Sequence, residues 1–179
     1  MADYKIIFTG PSGAGKTTAI TALSDIATIR TDAASNEILD SYIGKKGITV
    51  AMDYGLMKLG NRDKIHLYGT PGQERFDFMW EILIKGGLGL ILLIDHAHRY
   101  PIREMKAFLH AFRDFLKEGK LVIGITRMDV KPEPGLELYY EHFRALNINP
   151  PIFEIDARNK QDVSLLVQAL LYSLDPGIT

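Results

Sequence analysis

The sequence predicts an α/β fold: a doubly wound, mostly parallel sheet of six strands, one of them antiparallel. Three observations predict it. Short apolar runs alternate with helix-period segments along the whole chain. The run Gly87–Asp95 is apolar almost throughout, as a central parallel strand covered on both faces must be. A Gly-rich turn joins the first apolar run directly to the first helical one, at the place where open α/β sheets bind ligands.

Each element has its own signal. Strands are expected at Lys5–Thr9, Thr49–Leu59, Lys64–Tyr68, Leu88–Ile94, Leu121–Thr126 and Ile152–Ile155. Helices are expected at Gly15–Ala27, Glu74–Lys85, Ile102–Lys117, Gly135–Leu146 and Gln161–Leu174. In the third helix Met105, Phe108, Leu109, Phe112, Phe115 and Leu116 form one stripe. A tight turn, Gly60-Asn61 or Asn61-Arg62, pairs the second and third strands antiparallel. There is no repeat, low-complexity segment or linker, so residues 1–179 are expected to form a single domain.

Composition excludes several roles. The net charge is -1 and no Lys/Arg run exceeds two residues, which argues against nucleic acid or an anionic membrane as the main partner. The absence of cysteine removes disulfides, thiolate zinc sites and thiol catalysis. No secretory signal, membrane-length apolar run or lipidation motif is present, so a cytoplasmic protein without a direct membrane anchor is expected.

The strongest chemical signal is Gly10-Pro-Ser-Gly-Ala-Gly-Lys-Thr17, the pattern G-x-x-x-x-G-K-T between a strand and a helix. Gly10, Gly13 and Gly15 let the backbone wrap a phosphate. Amides from Ser12 through Ala14 to Thr18 then converge on its oxygens at the positive end of the helix. Lys16 can reach the outer phosphates, and the Thr17 hydroxyl can ligand Mg²⁺. The competing reading is a Gly-rich turn that binds nothing, against which the full match in its strand–helix context argues.

Four further segments, taken with the loop, resemble the Ras-like small GTPases (small G domains of the P-loop NTPase superfamily) over nearly the whole chain. The polar stretch from Arg30 to Gly47 is long for a connector and resembles a first switch. Thr49 follows it, and the resemblance implies that this Thr bonds the γ-phosphate and Mg²⁺; a strand Thr chosen for β-propensity is the plainer alternative. Leu67-Tyr-Gly-Thr-Pro-Gly-Gln-Glu-Arg-Phe76 resembles a second switch, in which Gly72 bonds the γ-phosphate and Gln73 orients water; Lys16, Gly72 and Gln73 are the expected catalytic set. The family's Mg²⁺-holding Asp is here Gly69. Asp53 is the candidate substitute, because pairing through the tight turn sets it opposite Thr70 or opposite Tyr68, beside Gly69 either way. A solvated edge-strand acid is the alternative.

Thr126-Arg-Met-Asp129 resembles the guanine motif, with Arg127 replacing the usual Lys. Asp129 can accept two N–H bonds that adenine does not offer, a mismatch of about 2–4 kcal/mol, and Arg127 can cover the base face. Asp156-Ala157-Arg158 resembles the last base motif, the Ala157 amide meeting guanine O6 and Arg158 pairing with Asp156 or Asp129. Ser12 crowds the γ-phosphate and predicts slow turnover. Arg30, Lys45 and Lys46 are candidate internal fingers or simply solvated charges.

The second-switch departure also resembles a prokaryotic, bacterial branch that includes gliding-motility polarity GTPases, which implies roadblock/longin-type regulatory partners. The resemblance implies a GTP/GDP-binding, Mg²⁺-dependent switch. A nucleotide-holding scaffold and a P-loop small-molecule kinase are the competing functions. The kinase would need an Arg-rich lid near strand four, where only Arg99 and Arg103 occur. His96-x-His98 is expected to be a surface-loop pair, and the patch of Phe76, Phe78, Met79 and Trp80 to be half core.

Overall fold

The computed structural model describes residues 2–32, 51–60, 63–72, 77–117 and 120–174. The described residues form seven strands: β1 (Asp3–Thr9), β2 (Ile29–Asp32), β3 (Ala51–Lys58), β4 (Lys64–Gly69), β5 (Gly89–Asp95), β6 (Lys120–Thr126) and β7 (Ile152–Glu154). They lie in the order β2-β3-β4-β1-β5-β6-β7. Only β3 runs against its neighbours, pairing antiparallel with both β2 and β4, while β1 pairs parallel with β4 and β5, and β6 with β5 and β7. The expectation of six strands is therefore corrected to seven. The missed strand is Ile-Arg-Thr-Asp, too short and polar to show an alternation of its own. Backbone bonds to β3 define it, with Arg30 set opposite Asp53.

Alternation on the strands divides the core into two layers. Ile6, Phe8, Ile91, Leu93 and Val122 face α1 (Lys16–Leu23) and α5 (Lys160–Leu174), where Ile20, Leu23, Val163, Leu166 and Leu170 close the layer. Ile7, Leu90, Leu92, Ile94, Ile123 and Ile125 face the other way, onto Trp80 of α2 (Asp77–Ile84), Met105 and Phe108 of α3 (Pro101–Ala111), and Tyr139 and Phe143 of α4 (Glu137–Ala145). Neighbouring residues of one strand thus serve opposite layers, so β5 reads as continuously apolar and every one of its residues is buried.

Helix ends depart from the periodic pattern for local reasons. α1 stops at Leu23 rather than Ala27, because Ser24 turns extended and its Oγ accepts from Leu56 N at 3.1 Å, tying the chain to β3. α3 starts on Pro101, a residue suited to a first turn, and ends at Ala111. Its stripe continues through Phe115 and Leu116 because a separate 3₁₀ turn, Phe115–Lys117, presents them to the same layer.

The β3–β4 register differs from both sequence alternatives. Asp53 pairs with Gly69 itself, and Lys58 with Lys64. Leu59 N also bonds Asp63 O at 2.8 Å, so the connection is one residue longer than a two-residue turn. Its residues 61 and 62 lie outside the described ones.

At the carboxyl end of β1 the backbone passes very close to β5. Gly10 has φ 138°, and a β-carbon there would overlap the Leu93 carbonyl oxygen. Gly10→Ala therefore combines a left-side φ with a backbone clash and is expected to destabilise the protein by about 2–4 kcal/mol. Urea unfolding followed by circular dichroism measures this; an unchanged midpoint would contradict the close approach.

Candidate functional site

The site forms where the ends of β1, β3, β4, β5 and β6 meet the start of α1. The loop from Gly10 to Gly15 needs glycine at its last position as well. Gly15 has φ 100° and precedes the first turn of α1, and a β-carbon on it would lie 2.9 Å from the Ala157 β-carbon. The loop is thus clamped between β5 and the segment after β7. Thr126 adds a third hold, its buried hydroxyl lying 3.2 Å from Ala14 O and 3.3 Å from Ile94 O as donor.

Lys16 is buried at the floor of this loop, its ammonium donating to Gly10 O and Pro11 O at 2.7 Å each. Burial pulls its pKa down to about 8, with Asp53 and Glu104 acting in the opposite direction. The segment that follows β4 closes over it. Thr70 bonds Phe8 O through its amide at 2.9 Å and shares a buried hydroxyl bond with Thr9. A β-carbon on Gly72 would overlap Ser12 N and lie 2.8 Å from Lys16 Nζ. Gly72 therefore stands directly over the loop.

The β3–β4 register delivers Asp53 to the same place. Its Oδ2 accepts from the Thr17 hydroxyl, and its Oδ1 lies 3.4 Å from Arg30 Nε. A β-carbon on Gly69 would lie 3.1 Å from Asp53 Cβ and 3.3 Å from its Oδ2, so the Asp53 side chain fills the space beside Gly69. The solvated edge-acid alternative does not describe a carboxylate that is 13% exposed and bonded to the loop threonine. Hydroxyl and carboxylate oxygens in direct contact form a hard donor pair that suits Mg²⁺. Among the described residues no group of three His, Asp or Glu side chains gathers as a metal centre.

Ser12, Gly13, Gly15, Lys16, Thr17, Thr18, Arg30, Asp53, Thr70, Pro71 and Gly72 line a cavity of about 430 Å³. A second cavity, about 300 Å³, is lined by Ala14, Thr126, Arg127, Asp129, Asp156, Ala157 and Arg158 and shares Gly13, Gly15 and Thr18 with the first. Residues far apart in sequence thus become one trough: the loop is its shared wall, the base-motif residues lie at one end, and Lys16, Thr17 and Asp53 at the other. Arg158 grips Asp156, Nε to Oδ1 at 2.9 Å and Nη2 to Oδ2 at 2.7 Å, which settles its partner among the two expected. This guanidinium holds the Asp156 carboxyl down at about 2. Arg30 lines the first cavity with its side chain 70% exposed. Thr49, Gln73, Lys45, Lys46 and Phe76, together with the Phe78 and Met79 side chains, lie outside what is described.

Three further residues take roles at the site that their sequence signals did not specify. Trp80 is buried, ring-stacked on Phe112, and its Nε1 donates to Pro71 O at 3.0 Å, so the core holds the segment bearing Gly72. Asp95, the last residue of β5, bonds Arg127; an acid ending an apolar strand was the available signal. His96 corrects the surface-loop expectation. It is buried with Nδ1 2.7 Å from the Tyr139 hydroxyl, because α4 brings a polar partner over the strand end, and burial pushes its pKa down. His98 remains at the surface, 3.2 Å from Glu104.

The Lys16 environment gives a pH signature. Only the ammonium form offers positive charge to a polyphosphate, and below about pH 8 it is already formed in the free protein. Bound phosphate favours that charge, so binding takes up a proton as pH rises through 8. Polyphosphate affinity is expected to be flat between pH 6.5 and 7.5, then to fall by up to about tenfold per pH unit above 8. Calorimetry across that range, in buffers of differing ionisation heat, checks it; flat affinity to pH 9.5 would contradict it.

Comparisons with known proteins agree with this geometry. An uncharacterized protein of Methanocaldococcus jannaschii is 38% identical over 96 residues, covering 52% of this chain and 51% of that protein. The chain thus matches about half the length of that relative. Ras-related protein RabC of Dictyostelium discoideum is 19% identical over 96% of the chain and 84% of its own length. GTP-binding protein YPTM2 of Zea mays is 23% identical over 96% and 79%. Among solved structures, the bacterial selenocysteine-specific elongation factor superposes with a TM-score of 0.68 at 20% identity, over 97% of this chain and 29% of that one. That likeness shows the α/β fold with its mostly parallel sheet, and the Ras-related relatives agree with the P-loop resemblance at low identity. A family model described as conserved hypothetical ATP binding protein matches residues 8–173. The chain belongs to that family.

Proposed function

We propose that this chain is a guanine-nucleotide switch that binds GTP and GDP with Mg²⁺ and hydrolyses GTP slowly. The observation that carries the reading is the continuous trough, with exposed Asp129 and buried Ala157 at one end and Lys16, Thr17 and Asp53 at the other. Its polarity suits a ligand with N–H donors on its base and negative charge on its tail. The nucleotide contacts run from Gly10 through Ser12, Gly13, Ala14, Gly15, Lys16, Thr17 and Thr18 to Thr126, Arg127, Asp129, Asp156, Ala157 and Arg158.

Thr17, Thr49 and Asp53 would hold Mg²⁺, which supplies charge neutralisation at the outer phosphates. Lys16 moves from the loop carbonyls to the phosphate oxygens. The amide of Gly72, already standing over the loop, meets the γ-phosphate, and Gln73 aligns the attacking water. Ser12, exposed at the loop's mouth, crowds that water and slows the step. Arg30 stands on the cavity wall where a finger would act, although its present partner is Asp53. Residues 1–179 act as one domain in this reading, in the cytoplasm, with regulatory proteins engaging the switch segments. The resemblance to the bacterial gliding-motility branch suggests roadblock/longin-type partners. No helix of the described residues is long and apolar enough to cross a membrane.

A second reading, an adenine-nucleotide holder with negligible turnover, draws on the family's ATP-binding description. Base choice separates the two. Calorimetric titration with GDP, GTP, ADP and ATP is expected to favour guanine by about a hundredfold, and Asp129→Ala to erase that preference. Equal binding of ATP by the native protein would overturn the guanine assignment. Single-turnover assays with a Gln73→Leu control then tell slow hydrolysis from none. For the metal, Asp53→Ala is expected to abolish most of the Mg²⁺ dependence of nucleotide release; an unaltered dependence would remove Asp53 from the metal set.

A further inference from the structure

We propose that Asp95 is a positioning residue for purine binding: its carboxylate fixes the Arg127 guanidinium as a flat lid over the face of the base. The proposal rests on the reading of the 300 Å³ cavity as a purine site, and it adds a residue that lies outside every motif matched in the sequence.

Arg127 follows β6 with φ 59°, in the left-handed region that a long side chain rarely adopts. Two contacts hold it there. Its carbonyl accepts from Val130 N at 3.2 Å, closing the turn that carries Asp129. Its Nη1 donates to Asp95 Oδ2 at 2.8 Å. Asp95 is itself immobile, buried at the end of β5 in register with Thr126, with Oδ1 accepting from Ala97 N at 2.9 Å. Both carboxylate oxygens are therefore engaged, and the strand supporting them is the most deeply buried in the sheet.

The consequence for Arg127 is asymmetric. One guanidinium nitrogen, Nη1, is tied to Asp95, while 57% of the side chain stays exposed and lines the cavity together with Ala14 and Ala157. A planar cation anchored through one nitrogen to a buried carboxylate keeps its place and leaves its face free. That is the geometry for stacking on an aromatic base. An ammonium in the same place offers no plane to fix, so the carboxylate and the guanidinium belong together. Because every purine has a π-face, this grip is indifferent to the identity of the base; Asp129 chooses the base and the Asp95–Arg127 pair holds it. A plain staple between β5 and β6 is the rival explanation. It is a weak one, since one partner of the pair is largely solvated and β5 and β6 are already joined along their whole length.

The test compares nucleotides with a ligand that has no base. Asp95→Asn keeps the shape and removes the charge, and Arg127→Ala alters only an exposed side chain. Each is titrated with GDP, GTP, ATP and inorganic tripolyphosphate at fixed Mg²⁺. Both variants are expected to lose about tenfold in affinity for whichever nucleotides the native protein binds, by the same factor for each. Tripolyphosphate affinity is expected to be unchanged. The double variant is expected to lose no more than either single one, because the two residues act as one unit. An unchanged nucleotide affinity, an equal loss for tripolyphosphate, or multiplied losses in the double variant would each overturn the role of Asp95. A native protein that binds tripolyphosphate but no purine nucleotide overturns the cavity reading and this inference together. A native protein that binds nucleotide while its variants behave as wild type sinks the inference alone.

Discussion

Everything at the site depends on how the Gly10–Gly15 backbone is held. A loop whose amides must point inward at an anion cannot also satisfy those amides internally, so its shape has to be imposed from outside. Three strand ends impose it. Leu93 of β5 stands so near Gly10 that no side chain fits between them. The Thr126 hydroxyl reaches Ala14 O from the end of β6. Ala157, beyond β7, closes on Gly15. Each hold comes from a strand whose position is set by the two apolar layers, and the binding loop is therefore as rigid as the core beneath it.

Charge is arranged on that frame with the same economy of contacts. Lys16 is stored, buried and with its pKa lowered, on the carbonyls of its own loop. Asp53 reaches the loop from the neighbouring strand rather than from the end of β4, and its side chain fills the space beside Gly69. An acid at 69 would stand within van der Waals contact of Asp53 and repel it. At the base-motif end, Asp95 closes β5 and bonds Arg127, which follows the last residue of β6. Both contacts follow from strand register: antiparallel pairing sets Asp53 opposite Gly69, and parallel pairing sets Asp95 beside Thr126, the neighbour of Arg127.

The link from the core to the outer phosphate region is Trp80. Its ring packs on Phe108 and Phe112, and its indole N–H holds Pro71, one residue before the glycine that stands over the loop. An aromatic that reads in sequence as part of an apolar patch is in fact a tether for the segment that carries Gly72 over the loop.

Local patterns in the sequence were sufficient for what local physics decides. The Gly-Lys-Thr loop, the apolar β5, the α3 stripe and the residue types of the base motifs are each specified within a dozen neighbouring positions, through φ requirements and periodicity. The tertiary structure decided what depends on register and burial. A three-residue connection moved Asp53 one position, onto Gly69 itself, and a four-residue polar segment became β2 only through its bonds to β3. His96 and Asp95 drew their roles from Tyr139 and Arg127, partners 43 and 32 residues away. Hydrogen bonds across such distances leave no periodic trace in the chain, because they are formed only after the strands have taken their places.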